Sequence, residues 1–417
     1  MVTVRQIRRS IGTPRIPVWP AAWALLLGWF TPVLGFASNP AVELRFPPGW
    51  EWQDIQSFDL DYRQGVLHVL LAARNGTSGT ARLVYRKSRD GGATWDAPVV
   101  LPTEGGAAPI SRRGNDVQLA VDGPRIVAAW QENGAIPGAG PLALALSTDR
   151  GRHWDRLPSP VAGADPTDNQ SYLDLLADEA GRFHLVWLDD REESGSSQGL
   201  RHAVLAGRGR HWLTRQTIDD SVCTCCWNRL FALPDGRVAV LYRDIEPHDM
   251  RMATLDPVTS RWGGFVPVGE FNWRFTGCPH CGGGIASASG KGRWKLHSVV
   301  WTGQEVTPGL FYLQSDDQGR HWKARLRIGD GHARDADIAA WGQARAAIVF
   351  TQRDAGGTAI RAMRSGDGGT RWSQPLVVSG SGAIADHPRV IATDRGLRAF
   401  WTEYRSPQGK VLVTRTL

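Results

Sequence analysis

Apolar and polar residues alternate along the chain in short runs, and Gly, Asp and Asn interrupt these runs every few residues. Asp116-Val-Gln-Leu-Ala-Val, Arg125-Ile-Val-Ala-Ala-Trp and Leu142-Ala-Leu-Ala-Leu are representative. Successive side chains of a strand face opposite sides, so such runs predict half-buried or fully buried β-strands. No window holds an apolar stripe at helical spacing, and an all-β chain is expected. One long apolar run stands apart, Val18 to Phe36, preceded by Arg5, Arg8, Arg9 and Arg15 and ending in Gly35-Phe36-Ala37. A basic start, an apolar centre and a small-residue exit predict a signal peptide over residues 1–37, cleaved near Ala37 or Ser38. Pro20 and Pro32 argue against a permanent membrane anchor, so a membrane partner is expected only if the leader is uncleaved. Residues 38–417 are then a single exported domain, periplasmic or secreted.

The strand pattern repeats. Four segments share Ser-x-Asp-x-Gly-x-x-Trp: Ser88, Asp90, Gly92 and Trp95; Ser147, Asp149, Gly151 and Trp154; Ser315, Asp317, Gly319 and Trp322; Ser365, Asp367, Gly369 and Trp372. Two eroded copies end in Trp212 and Trp262, and the six tryptophans are spaced 59, 58, 50, 60 and 50 residues apart. Ser and Asp side chains accept hydrogen bonds from a tight turn, Gly supplies a positive φ, and Trp offers a large ring to a neighbouring repeat. These segments resemble the Asp-boxes, or BNR repeats, of sialidases and their relatives. The resemblance implies a β-propeller of four-stranded antiparallel blades, not an activity.

Between boxes the order is strand, turn, strand, loop, strand, box, strand. Units centre on Ile55–Arg86, Asp116–Leu146, Tyr172–Ala206, Arg229–Leu255, Ile285–Gln314, Asp337–Arg364 and Arg389–Leu417. Seven blades are therefore favoured, with six, as in sialidases, the alternative. The last unit lacks a fourth strand, and Val42–Phe46 is expected to supply it and close the ring, leaving no open sheet edge.

Composition changes this picture little. With 19 Trp, 48 Gly and 25 Pro but 4 Met, the chain favours turns over long helices. Its net charge of +7 arises partly in the leader; without the leader's four arginines, 44 basic residues face 41 acidic ones. No basic run remains, so nucleic acid is not an expected partner. A monomer with a glycan or protein ligand is expected.

In a propeller, the starts of first strands and the ends of second strands share one face, opposite the boxes. Loops on a rigid scaffold carry function. That face collects Arg112-Arg113-Gly-Asn115-Asp116, Asp168 to Tyr172, Cys223 to Asn228, Cys278 to Cys281, His332 to Asp335, Asp386-His387, Tyr242-Arg243-Asp244, Gln352-Arg353-Asp354 and Glu403-Tyr404-Arg405. The resemblance to sialidases implies three arginines around a substrate carboxylate, a Tyr activated by Glu, and an Asp acid/base. Arg112 or Arg113, Arg243 and Arg353 are the arginine candidates; Tyr404 beside Glu403, or Tyr242, the nucleophile; Asp116 the acid. Neighbours on one strand point apart, so Glu403 and Tyr404 would have to meet their partners across blades. The Phe-Arg-Ile-Pro motif of sialidases is missing from the mature chain, since Arg15-Ile16-Pro17 lies in the leader. An exo-α-sialidase-like glycosidase is thus one reading, and a non-catalytic binding propeller or a metal-handling periplasmic protein is the other.

All 5 cysteines fall in two segments, Cys223-x-Cys225-Cys226 and Cys278-Pro-His280-Cys281, which open consecutive blades. The pairing resembles a branch of exported sialidase-like bacterial proteins. In an exported chain two disulfides between blades are expected, with one thiol left over. The same sulfurs with His280 also suit Cu(I) or Zn(II). Gly282 follows Cys281, which excludes a c-type haem motif. Neither reading makes a cofactor obligatory.

Overall fold

A computed structural model describes residues 40–103, 109–161, 163, 165, 167–190, 197–206, 209–288, 294–354 and 357–417. The expected leader and its cleavage site lie outside the described residues. Among the described residues, all regular structure is β: seven antiparallel sheets of four strands each, the blades of a propeller. Blade 1 runs Trp52–Arg63, Val66–Asn75, Ala81–Ser88 and Val99–Val100. Blades 2 to 6 follow in the same order, with first strands at Gln118–Asp122, Gln170–Ala177, Arg229–Ala232, Gly283–Ala288 and Ala333–Trp341. Blade 7 combines Ala385–Thr393, Gly396–Arg405 and Gly409–Thr416 with the chain's earliest strand, Val42–Glu43. Val42 pairs with Thr414 and Glu43 with Val413, and Leu44 N donates to Leu412 O at 2.8 Å. The ring therefore has seven blades and closes through its two ends.

Apolar faces of adjacent blades pack into shared clusters, such as Leu70, Tyr85, Val121, Trp130 and Trp154 between blades 1 and 2. The four Ser-x-Asp-x-Gly-x-x-Trp segments supply the outer part of this contact. In each, the Ser hydroxyl accepts the Gly N–H, at 2.7 Å (Gly92), 2.8 Å (Gly151), 2.9 Å (Gly319) and 2.9 Å (Gly369). The Asp carboxylate accepts the N–H four residues on, from Thr94, His153, His321 and Arg371. Gly151 has φ +81°, and a Cβ there would stand 2.1 Å from the Tyr85 ring of the preceding blade. Trp154 meets the same Tyr85 edge-on at 5.3 Å, and Trp372 meets Tyr312 likewise at 4.9 Å. Only glycine lets the turn approach so closely.

Near the axis, carboxylates join the blades instead. Leu119 N donates to Asp59 at 2.8 Å, Val121 N to Asp61 at 2.8 Å, Leu230 N to Asp174, and Val390 N to Asp337 at 2.9 Å. Each bond runs from one blade's first strand to the preceding blade's first strand. Burial raises the pKa of Asp59 and Asp61 to about 6 and of Asp174 to about 7, against the opposing pull of Arg229 or Arg63. Arg229 lies 3.6 Å from Asp174 and is the shared counter-charge of Asp59, Asp174 and Asp337.

Candidate functional site

A polar pocket opens at the starts of the first strands, on the face opposite the Ser-Asp-Gly turns. Blades 1, 2, 3, 4, 6 and 7 contribute to its wall, while blade 5 offers glycines at Gly283 and Gly284. Register shifts open the first strands of blades 3, 6 and 7, among others, at Ser171/Asp174, Arg334/Asp337 and Asp386/Arg389. Inside these bulges Tyr172, Asp335 and His387 take positive φ of 51°, 50° and 59°. A bulge re-aims a side chain, and left-handed non-glycine residues mark places where the surroundings over-determine the backbone. The bulge leaves the next inward residues, Asp174, Asp337 and Arg389, on the axis.

Asp335 is taken by Arg113, whose Nε donates to it at 2.9 Å. His387 Nε2 lies 3.1 Å from Asp116 Oδ2, and Ser57 Oγ donates to the other Asp116 oxygen at 2.9 Å. Burial by itself lowers the His387 pKa, but the Asp116 carboxylate outweighs it and holds the imidazole above its ordinary value. Arg112 differs from its neighbours. It donates to Gly138 O at 2.8 Å and lies over the Tyr172 ring at 5.3 Å, and among the described residues no carboxylate pairs with it. Trp227 completes this side. A Cβ on Gly114 would fall 2.1 Å from its indole, and one on Gly282 would fall 2.3 Å away, so two glycines make room for it.

Of the candidate catalytic residues, the pocket brings together Arg112, Arg113 and Asp116. Arg243, Arg353, Glu403 and Tyr404 do not line it. Arg243 is 2% exposed and its guanidinium caps the carbonyls of His248, Trp301 and Cys281. Arg353 is exposed at the rim of blade 6. The expected convergence of Arg243 and Arg353 with Arg112 or Arg113 is therefore corrected: one is buried by its capping bonds and the other stands outside. Glu403 is buried and accepts from Trp401 Nε1 and Gly380 N, both at 2.8 Å, while Tyr404 is 52% exposed on the opposite side of the strand. Tyr242 is hydrogen-bonded to Asp219 at 2.8 Å rather than to a glutamate, and burial raises its pKa. His387, Asp335 and Trp227 stood on the expected face but outside the candidate list. Asp335 and His387 lie in bulges set by pairing with second strands, and Trp227 lies in the segment before blade 4, so no residue type in the sequence announced their place.

Beside the pocket, Cys225 and Cys278 form a disulfide with Cα atoms 5.9 Å apart, joining the segments that precede blades 4 and 5. Two bridges were expected and one is present; Cys223, Cys226 and Cys281 are free thiols, all buried. The sulfurs of Cys223, Cys225 and Cys226 lie within 4.8 Å of one another, as do the ligand atoms of Cys225, Cys278 and His280. These Cys/His groups have the donors for a metal ion, though the disulfide engages Cys225 and Cys278. His280 is exposed, and its Nδ1 lies 3.3 Å from the Tyr172 hydroxyl.

No protein-family model and no curated protein matches the chain. Among solved structures it is similar to an ulvan lyase of a polysaccharide lyase family, 11% identical over 90% of this chain and 98% of that one, with a TM-score of 0.58. It is also similar to the polysaccharide lyase Uly1, 9% identical over 89% and 91% of the two chains, TM-score 0.53. The NanB sialidase from Streptococcus pneumoniae shares 11% identity over 91% of this chain and 70% of its own, TM-score 0.48. At these identities the likeness is one of fold.

Proposed function

We propose that the protein is exported and binds an anionic glycan in the axial pocket, with His387 placed to move a proton on the bound sugar. The observation that carries this reading is Arg112, a cation at the mouth of the pocket with no carboxylate partner among the described residues. Its planar fork suits a carboxylate or sulfate, and its stack on Tyr172 fixes its direction. Trp227 adds an aromatic wall of the kind that sugar rings pack against. His387, oriented by Asp116, is a titratable group backed by a fixed carboxylate, as general acid–base chemistry needs. Two propellers of like fold are polysaccharide lyases, which accords with a saccharide ligand.

The test compares a uronic-acid oligosaccharide with its methyl-esterified form by calorimetry. The acidic form should bind and the ester should not. Arg112→Ala should weaken binding about 10–100-fold, the loss of one charge-assisted contact of about 1.5–3 kcal/mol. His387→Asn should keep the affinity and abolish any release of unsaturated or reducing ends. Equal binding of acid and ester, or full affinity in Arg112→Ala, would defeat the proposal.

A further inference from the structure

We propose that Cys223, Cys225 and Cys278 form a thiol–disulfide exchange site, through which the buried Cys223 thiol exchanges with a small organic disulfide in solution. The Cys225–Cys278 bridge joins the segments that precede blades 4 and 5. Its two ends have different surroundings. Cys278 is exposed at the rim, whereas Cys225 is 3% exposed. A third sulfur stands on the buried side. Cys223 is a free thiol, also 3% exposed, and its Sγ lies 4.0 Å from Cys225 Sγ. The sulfurs of Cys223, Cys225 and Cys226 lie within 4.8 Å of one another, and so do the ligand atoms of Cys225, Cys278 and His280; Cys225 is common to both groups. It is therefore the pivot. A bridge that only staples two loops needs two sulfurs. A buried thiol against one end of it opens an exchange path for which a staple has no use.

Thiols and disulfides exchange by attack of one sulfur on another. Cys223 Sγ attacks Cys225 Sγ; the Cys223–Cys225 bond forms, the Cys225–Cys278 bond breaks, and the proton of Cys223 ends on Cys278. The chain gains and loses no electron in that step. The departing sulfur is provided for. The Thr224 hydroxyl lies 3.6 Å from Cys278 Sγ and donates to it as negative charge collects there. His280 is exposed beside it, with a ring nitrogen within 4.8 Å, close enough to pass the proton through one water. The freed Cys278 thiol then attacks a disulfide R–S–S–R from solution, forming Cys278–S–S–R and releasing R–SH. Over both steps one protein thiol becomes a disulfide sulfur and one external sulfur becomes a thiol, so the exchange balances. Solvent does not reach Cys223 directly; the pivot connects it to the rim. Cys226 does not take the part of Cys223, because it adjoins Cys225 in the chain and a bridge between adjacent residues is distorted.

The exchange also unties two loops. Trp227 follows Cys226 in the chain, and its indole packs against Gly282, which follows Cys281. The Cys225–Cys278 bond is a covalent tie between those same two segments. Once it has moved to Cys223, packing alone holds the aromatic wall of the pocket together there. This proposal does not depend on the ligand that the pocket takes.

The test uses the full chain, free of added thiol and incubated with oxidised glutathione, then quenched in acid and alkylated so that its bridges can be mapped by peptide mass spectrometry. Glutathione should appear on Cys278, accompanied in equal yield by a Cys223–Cys225 bridge. Cys223→Ala removes the attacking sulfur and should slow adduct formation by about 10-fold or more. Cys226→Ser alters the neighbouring buried sulfur and should leave adduct and bridge as they are, which separates exchange from loss of packing. The map of the unaltered protein decides the matter even if a variant fails to fold. A Cys225–Cys278 bridge that persists without adduct, glutathione on Cys226 or Cys281 instead, an adduct on Cys278 with Cys223 still free, or an undiminished rate in Cys223→Ala would each overturn the site.

Discussion

On the face of the Ser-Asp-Gly turns, each aspartate accepts hydrogen bonds from its own turn; around the axis, aspartates accept them from the next blade. The bonds are alike but the settings are not. Backbone and side-chain donors outweigh the desolvation of Asp90 and Asp317, holding both near about 2, whereas burial pushes Asp59 to about 6 and Asp174 to about 7. Both arrays recur from blade to blade, and recurrence identifies them as scaffold. Arg112, Trp227 and His387 do not recur, and they meet in one pocket. In a repeat protein, function is to be sought where the period breaks.

The largest effect should come from Asp174→Ala. It removes the acceptor of Leu230 N and the nearest partner of Arg229, leaving a buried cation short of charge. A loss of about 3–5 kcal/mol in denaturant unfolding is expected. Asp149→Ala, on the other face, strips a half-exposed turn and should cost about 1–2 kcal/mol. Equal losses would erase the distinction between the two arrays. Gly151→Ala should fall between them, at about 2–4 kcal/mol, because its φ is +81° and its Cβ would strike Tyr85. Gly123→Ala has positive φ but open space, and should cost only about 1 kcal/mol.

The scaffold was legible in the sequence because its signals are local. Ser, Asp, Gly and Trp of each turn lie within eight residues, and the spacing of Trp95, Trp154, Trp322 and Trp372 counts blades directly. Ring closure by Val42 followed from a missing strand. The site was only partly legible. Arg112, Arg113 and Asp116 were placed on the right face because topology assigns faces. Whether Arg243 points to solvent or inward depends on which carbonyls lie beneath it, which come from Trp301 and Cys281, distant in sequence. Likewise the bulges that turn Tyr172, Asp335 and His387 are set by pairing with second strands, and no residue type announces them.

Acidity separates the two faces in another way. The turn carboxylates, depressed below their ordinary value of 3.8, contribute stability above it and lose that contribution as pH falls towards about 2. Asp59 and Asp174 are raised, so the native state holds protons that the unfolded chain has released, and their contribution is lost as pH rises from about 4 to 7. His68 and His297 oppose this. Burial lowers both to about 4, so they favour the native state increasingly as pH rises to about 6.5. The melting temperature should therefore fall steeply below about pH 4 and change little from there to neutrality. The double variant His68→Gln/His297→Gln removes the opposing groups, and its melting temperature should decline between about pH 4 and 7. A variant curve parallel to the parent's would mean that the axial aspartates are ionised throughout.

The smallest effects make the finest comparison, between two buried serines. Ser147 Oγ donates to Asp149 and accepts Gly151 N; Ser57 Oγ donates to Asp116 and accepts Val117 N. Replacing either by alanine removes one donor and one acceptor and should cost about 1 kcal/mol. Only the second should reach chemistry. Asp116, relieved of the Ser57 hydroxyl, concentrates its charge on the oxygen facing His387 and should raise that imidazole's pKa further. An NMR titration of the His387 ring should therefore move upward in Ser57→Ala and stay fixed in Ser147→Ala. An unmoved His387 in both would mean that Asp116 serves the scaffold, as the axial aspartates do, and that the pocket has lost its proton-transfer group.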